Sequence, residues 1–374
     1  MTLCSSAPLN ILFVVGYFPH ISQKFILDQI VEFKNRGHKV AIHSFYESKH
    51  EKMHPEIMQY HLLDSTTYGK QMPLFDQFDI IYVQFGNHAA RVIKEKKRQN
   101  YRGKVAVCIR GYDITGYLKR YPDAYETIFN DIDLVLPVCD LFRKKLLKLG
   151  CPAQKIMVSH SGINVDSITK KEISTSSVFR FRRAFNITTI GRLIEKKGIE
   201  YGLRAIARLV KKFPLIHYTI IGDAEKGDCE KERLQTITKE LKIENYVTFC
   251  GWLTHDEVKM RLAKTDLMIL PSIIAANGDQ EGIPNVLKEA MAFGIPVIST
   301  QEGAHELIEQ RVSGFLVPEK DSQTLAYKIA YLIKNPDKCA QFGNNGRAFI
   351  EKEFDIKKII KKLESVFLNL CRKK

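Results

Sequence analysis

Four charged residues have the types and spacing for chemistry. Glu281 and Glu289 bracket the stretch EGIPNVLKEAMAFGIPVIST (281–300), one at the mouth of a predicted helix and one inside it. Arg192 and Lys197 lie in GRLIEKKG (191–198), after an apolar strand and before a helix. A guanidinium can grip a phosphate through two nitrogens, an ammonium adds a compact charge, and helix-opening N–H groups already favour an anion. Gly282 and Pro284, either side of Ile283, suit a tight turn into a helix. N–H groups around Asn285, Val286 and Leu287 would then face an anionic group. Eight residues at helical rise span ~12 Å, less where part is loop. That is the scale of a ribose, a diphosphate and a sugar laid end to end. On this reading Glu289 accepts from ribose hydroxyls and Glu281 from those of the sugar. The plainer reading is a solvated basic loop and a glutamate on a solvated helix face. Apolar Leu287, Ala290, Met291 and Phe293 argue against a wholly exposed helix.

Such residues need a scaffold, and the chain supplies an α/β alternation twice. ILFVVGYF (11–18), KVAIHSF (39–45), FDIIYVQFG (78–86), KVAVCIRG (104–111) and DLVLPVC (133–139) read as buried strands separated by helical stretches. After the first strand, Phe25, Ile26, Ile30 and Phe33 share one helix face, with Gly37 at the C-cap. Residues 165–184 are polar, a linker plus an edge element. The alternation restarts with strands FNITTIGRL (185–193), HYTIIGD (217–223), YVTFCG (246–251), DLMILPS (266–272), IPVIST (295–300) and GFLVP (314–318). Apolar strands alternating with helices imply parallel sheets covered on both faces. The expected architecture is α/β: two Rossmann-like doubly wound domains, 1–170 and 185–353, facing a central cleft. A final helix, 354–374, crosses back to the first domain. Ligands in such sheets bind at the carboxyl ends of strands, so the cleft is the expected site.

Composition narrows the partners. With 45% hydrophobic and 26% charged residues the chain is an ordinary soluble protein, and its 374 residues exceed one typical core. No apolar run has transmembrane length, and ILFVV reads as a strand rather than as part of a signal peptide. Eight scattered cysteines, without CxxC pairs or zinc spacing, read as thiols of a reducing cytoplasm. The net charge of +15 divides into +7 over residues 1–170 and +8 over the remainder. An excess so spread, with no nucleic-acid motif, speaks against nucleic acid and suits anionic ligands or an anionic membrane surface. GxGxxG is missing, which leaves a dinucleotide oxidoreductase without support. Gly222–Gly227 has the glycine spacing of a P-loop, but Asp228 stands where Lys is required. Asp131-Ile-Asp133 has the form of a metal-binding DxD, yet a helix-to-strand turn explains it without metal.

The segments GRLIEKKG, IIGDAEK, VTFCGWL, LPSIIAANGDQEGIPNVLKEAMAFGIPVIST and SGFLVPEKD resemble, in that order, the donor domain of glycosyltransferase family four. YFPHISQKFILDQI, VQFG, IRGYDIT and SHSGINVD resemble more narrowly the colanic-acid type of bacterial exopolysaccharide and lipopolysaccharide transferases. The resemblance covers nearly the whole chain. It implies the GT-B fold and retaining transfer of a sugar from a nucleotide donor, with no metal or other cofactor. It also implies that Glu281 and Glu289 are the paired glutamates and that Arg192 and Lys197 hold the diphosphate. Gly191 and Gly222 fall in donor loops. Gly16 matches the glycine near the first strand end, where backbone approaches the donor phosphate. Arg110-Gly111-Tyr112-Asp113 matches a loop whose first residue is often His. Here it is Arg, as in the exopolysaccharide branch, with Arg110 expected at the donor and Asp113 among the catalytic groups. Gln23-Lys24 stands where that branch usually has Glu-Thr.

The expected reaction follows. Arg192, Lys197 and the helix N-terminus stabilise the leaving diphosphate, and the acceptor hydroxyl enters on the same face while Glu281 positions the sugar. The donor would be a nucleotide-diphosphate hexose, UDP first and GDP second, and the acceptor a glycan, lipid-linked, in exopolysaccharide, lipopolysaccharide or capsule assembly. The alternatives are another GT-B enzyme such as a sugar-nucleotide epimerase, or a non-catalytic nucleotide-sugar-binding scaffold. FDIKKIIKKLESVFLNLCRKK (354–374) reads as a packed helix with a basic face. LFRKKLLKLG (141–150) is a second basic amphipathic stretch, a candidate for peripheral contact with the membrane.

Overall fold

The apolar runs become parallel strands. A computed structural model describes residues 7–48, 53–169, 184–225, 227–301 and 304–372, and places the strands in two six-stranded sheets. The chain divides into two units, Met1–Asn164 with Phe354–Lys374, and Val165–Glu353.

The first unit holds β1 (Asn10–Phe18), β2 (Lys39–Glu47), β3 (Thr66–Tyr68), β4 (Ile80–Val83), β5 (Lys104–Ile109) and β6 (Leu134–Pro137), in the order β3-β2-β1-β4-β5-β6. Every pair is parallel. Ile11 to Val15 have no exposed surface, as expected for a central strand covered on both faces. The helices are α1 (Lys24–Asn35), α2 (Pro55–Gln59), α3 (Ala89–Arg98), α4 (Gly116–Arg120) and α5 (Asp140–Lys148). Gly37 follows α1 at φ +90°, the left-handed conformation that ends a helix. Strand β3 is not visible in the sequence, because three residues, Thr-Thr-Tyr, at a sheet edge show neither an apolar run nor a period.

The second unit holds β7 (Phe185–Ile190), β8 (Ile216–Ile221), β9 (Val247–Phe249), β10 (Leu267–Leu270), β11 (Val297–Thr300) and β12 (Gly314–Val317). Its order, β12-β11-β10-β7-β8-β9, is again all parallel. Counted from its own first strand, each sheet runs 3-2-1-4-5-6, the doubly wound order. Between the strands lie α6 (Ile199–Leu209), α7 (Glu230–Glu240), α8 (His255–Lys264), α9 (Asn285–Ala292), α10 (Ser322–Lys334) and α11 (Pro336–Glu353).

The last helix, α12 (Ile356–Arg372), packs on α1 of the first unit. Ile356, Ile360, Leu363 and Phe367 form its buried stripe. Phe367 stacks on Phe33 at 5.8 Å and meets Tyr82 edge-on at 5.3 Å. Glu364 accepts from Arg36 Nε at 2.8 Å and lies 2.9 Å from His38 Nε2.

Two expectations change. Val165–Ile168 falls with the second unit, where the Arg347 guanidinium donates to the Ile168 carbonyl, although the sequence assigns it to the first domain. Most of the expected linker and edge element (170–183) lies outside the described residues. The membrane-surface expectation for 141–150 loses its basis: Phe142 and Leu146 are fully buried, so the apolar side of α5 serves the core. Among the described residues no helix is long and apolar enough to cross a membrane, and no disulfide joins the described cysteines.

Candidate active site

In the second unit the winding reverses between neighbouring strands β7 and β10, so the loops that leave them open into one crevice at the carboxyl edge. These loops are 191–198 and 271–284. Ile273 N–H donates to the Lys196 carbonyl at 2.9 Å. Ala276 N–H donates to the Glu195 carboxylate, 3.1 Å to the nearer oxygen. Gly198 sits at φ +60° against Pro271, where an added Cβ would fall 1.9 Å from the Pro271 carbonyl oxygen. Only glycine satisfies both conditions, and it lets α6 start with the two loops in contact.

That contact brings four charges together. Lys197 Nζ lies 2.9 Å from Glu281 Oε1. Lys196 Nζ lies 2.9 Å from Asp279 Oδ2 and 3.8 Å from the same Glu281 oxygen. Lys196 and Asp279 are only 9% and 8% exposed. Burial alone would raise the Glu281 carboxyl. The ammonium groups of Lys197 and Lys196, with Arg192 further off, overcome burial and hold it at about 2. Glu281 is therefore ionised at any physiological pH. In that state it can accept hydrogen bonds and has no proton to give.

Helix α9 opens from the same loop. Gly282 is buried, and Pro284 caps the helix without a side-chain hydrogen bond. Leu287 N–H donates to the Pro284 carbonyl at 3.2 Å, so it is not among the N–H groups open to an anion. This corrects the expectation at Leu287. Asn285 Oδ1 and Ser272 Oγ are buried with no partner among the described residues, and orphaned polar atoms of this kind fit a ligand or water that bonds them. Glu289 is half-buried on the first turns of α9, and its carbonyl accepts from Phe293 N–H. Arg192 is 43% exposed and donates through Nη1 to Glu225 Oε1 at 2.8 Å. Gly222 takes φ +126°, and a Cβ there would lie 2.0 Å from the Gly191 carbonyl oxygen. The two glycines let the loops after β7 and β8 touch.

In the first unit the reversal falls between β1 and β4. Gly16 lies near the end of β1, and a Cβ on it would meet His88 Nε2 at 2.8 Å. Burial, with Arg91 nearby, pushes the His88 imidazole down to about 4, so it is neutral at pH 7. Asp113 corrects the sequence reading, and Arg110 is tied to its own unit. Arg110 donates to the Gln84 carbonyl and side chain and to Ser161 Oγ (2.7 Å), and its guanidinium lies 4.5 Å from the Phe25 ring. Asp113 has no exposed surface. Its carboxylate accepts the N–H groups of Gly86 (2.8 Å), Gly111 (2.7 Å) and Arg110 (3.0 Å). Arg110 is thus a loop anchor. Asp113 braces the loops after β4 and β5, with no free oxygen for catalysis. The DxD carboxylates are accounted for as well: Asp131 pairs with Lys97 at 2.8 Å, and Asp133 accepts from Val105 N–H at 2.9 Å.

Sequence reasoning missed Lys196, Asp279 and His88. The doublet Lys196-Lys197 does not show which lysine turns inward. The acidic pair Asp279-x-Glu281 was the signal that two cations are required opposite it.

Comparison with known proteins places the chain. The profile of Glycosyl transferases group 1 matches residues 175–349. WcaL of Escherichia coli, named as a putative colanic acid biosynthesis glycosyltransferase, is 34% identical over 292 residues, 77% of this chain and 70% of that one. The chain belongs to the group 1 glycosyl transferases. Another relative in this family is the amylovoran biosynthesis glycosyltransferase AmsK of Erwinia amylovora, 29% identical over 93% of this chain and 96% of its own. Among solved structures, Anabaena HepE in complex with UDP and glucose superposes with a TM-score of 0.80 over 96% of this chain and all of its own. At 21% identity that likeness shows the fold alone, the two-unit GT-B architecture.

Proposed function

We propose that the protein transfers a hexose, with retention and without a metal, from a nucleoside diphosphate sugar to a glycan during exopolysaccharide assembly. The observation that carries this reading is the meeting of Lys197 and Glu281 at the switch point of the second sheet, between Arg192 and the opening of α9. A diphosphate there finds an ammonium, an exposed guanidinium and the N–H groups of Asn285 and Val286. These charges oppose the negative charge that grows on the leaving group, the part a metal ion would otherwise play. Glu281, ionised and wedged between two lysines, is a poor nucleophile and a strong acceptor for sugar hydroxyls. Glu289, further into α9, takes the ribose hydroxyls. The acceptor hydroxyl attacks from the face the diphosphate leaves and passes its proton to a departing phosphate oxygen, which retains the configuration.

UDP is the first donor to try, because the superposing HepE structure holds UDP and glucose. GDP is the second. WcaL and AmsK, named for colanic acid and amylovoran, support an exopolysaccharide acceptor, for which we take a lipid-linked oligosaccharide. The test is to incubate the purified protein with UDP- and GDP-hexoses and lipid-linked oligosaccharide, with EDTA present, and to assign the new linkage by NMR. A product with the anomeric configuration of the donor is expected. Donor interconversion without an acceptor would instead identify an epimerase, and nucleotide binding without turnover a scaffold.

A further inference from the structure

We propose that Lys196 is a positioning residue for transfer: paired with Asp279, it holds the Glu281 carboxylate in place while Lys197 engages the donor diphosphate. The proposal deepens the function above and rests on it.

Glu281 Oε1 has two ammonium neighbours, Lys197 at 2.9 Å and Lys196 at 3.8 Å. Lys197 is the one expected to serve the diphosphate, and a doubly charged group arriving there competes with Glu281 for it. A carboxylate this buried, stripped of its counter-charge, would rise in pKa and take up a proton. It would then stop accepting hydrogen bonds at full strength from the sugar hydroxyls. Lys196 prevents that. Its ammonium is buried, turned toward the carboxylates, and tied to Asp279 at 2.9 Å.

The backbone makes the placement rigid. The Lys196 carbonyl holds Ile273 N–H at 2.9 Å, near the start of the second loop. Its ammonium holds Asp279, two residues before Glu281. Asp279 is fixed in turn: its N–H donates to Asn277 Oδ1 at 2.8 Å and its carbonyl accepts from Ala275 N–H at 2.9 Å. One residue therefore clamps both ends of the segment that presents Glu281. The charges facing Glu281 are Lys196 and Lys197 from the first loop, Arg192 at its start, and Asp279 on its own loop.

The test is the double variant Lys196→Met/Asp279→Asn, which removes the pair without leaving a buried lone carboxylate. Cooperative thermal melting checks that it folds, and Lys196→Gln takes its place if it does not. The Glu281 carboxyl is followed by 13C NMR of labelled glutamate, assigned by its loss in Glu281→Gln, with the protein alone and saturated with UDP. In the wild type the carboxyl stays ionised over the whole folded range. In the variant it titrates at least about one pH unit higher, most clearly with UDP bound. In transfer assays kcat falls by about 10²-fold while the donor KM stays within about threefold, as for a misplaced group. A carboxyl that does not move, or a kcat within about twofold of wild type, overturns the proposal. The titration of the protein alone needs no turnover, so it decides the coupling even if the transfer reaction assigned above is wrong.

Discussion

Lys197 Nζ stands 2.9 Å from Glu281 Oε1, so the cation expected at the diphosphate and the carboxylate expected at the sugar are partners in one ion pair. They lie 84 positions apart in the chain and meet because the strands before them, β7 and β10, are neighbours. On the proposed function, a diphosphate arriving at Lys197 would compete with Glu281. Glu281→Gln should therefore bind UDP as tightly as wild type or more tightly, while transfer falls by about 10²-fold or more. Lys197→Met should lose both. Calorimetric titration with UDP, beside turnover assays, separates the two residues. Weaker UDP binding by Glu281→Gln would contradict the competition.

Arg192 gives a cleaner variant. Its side chain is 43% exposed and its ion-pair partner, Glu225, is more exposed still, so the pair contributes little stability. Arg192→Ala should melt within about 0.5 kcal/mol of wild type. Transfer should nonetheless fall by about 3 kcal/mol of transition-state stabilisation. Full turnover would remove Arg192 from the leaving-group role.

Acid should weaken the second unit through Glu281. Its carboxyl is held at about 2 in the folded chain against an ordinary 4.5. The unfolded chain thus binds the proton first, and stability present above pH 4.5 is lost as pH falls from there toward 2. The shift corresponds to about 3 kcal/mol at most. Thermal melting from pH 6 downwards should show a shallower acid loss for Glu281→Gln than for wild type.

His88 acts in the same direction in a higher window. Its imidazole is depressed from 6.5 to about 4, so the unfolded chain takes the proton more readily below 6.5, and stability drops between these values. His88→Gln should flatten the melting profile between pH 6.5 and 4 and leave the lower window unchanged.

Asp113 should behave as a brace. Asp113→Ala leaves the N–H groups of Gly86, Arg110 and Gly111 without their acceptor, at a cost of roughly 3–5 kcal/mol. Activity measured per folded molecule, with folding followed by circular dichroism, should fall far less than for Lys197→Met. A folded but inactive variant would return Asp113 to the catalytic groups.

Much of the scaffold is legible in the sequence because parallel strands buried on both faces must be apolar throughout. Runs such as ILFVV and LMIL mark themselves, and eleven of the twelve strands of the two sheets can be read that way. The polar edge strand Thr66–Tyr68 cannot, since nothing in three half-exposed residues separates it from a turn. The stripe Ile356, Ile360, Leu363 and Phe367 announces a packed helix, whereas its partner Phe33, more than 300 residues away, does not appear in any local pattern.

The sequence by itself determined which side chains we propose for a diphosphate sugar: Arg192, Lys197 and Glu281 in loops that leave strands, and Glu289 inside the helix that follows. Only the tertiary structure decided how they are paired. Residue type does not tell Lys196, buried against Asp279, from Lys197 beside it, nor show that Arg110 and Asp113 are occupied in bracing their own loops. Strand order brings distant loops together, and it is proximity across those loops that sets which charge is neutralised and which remains for a ligand.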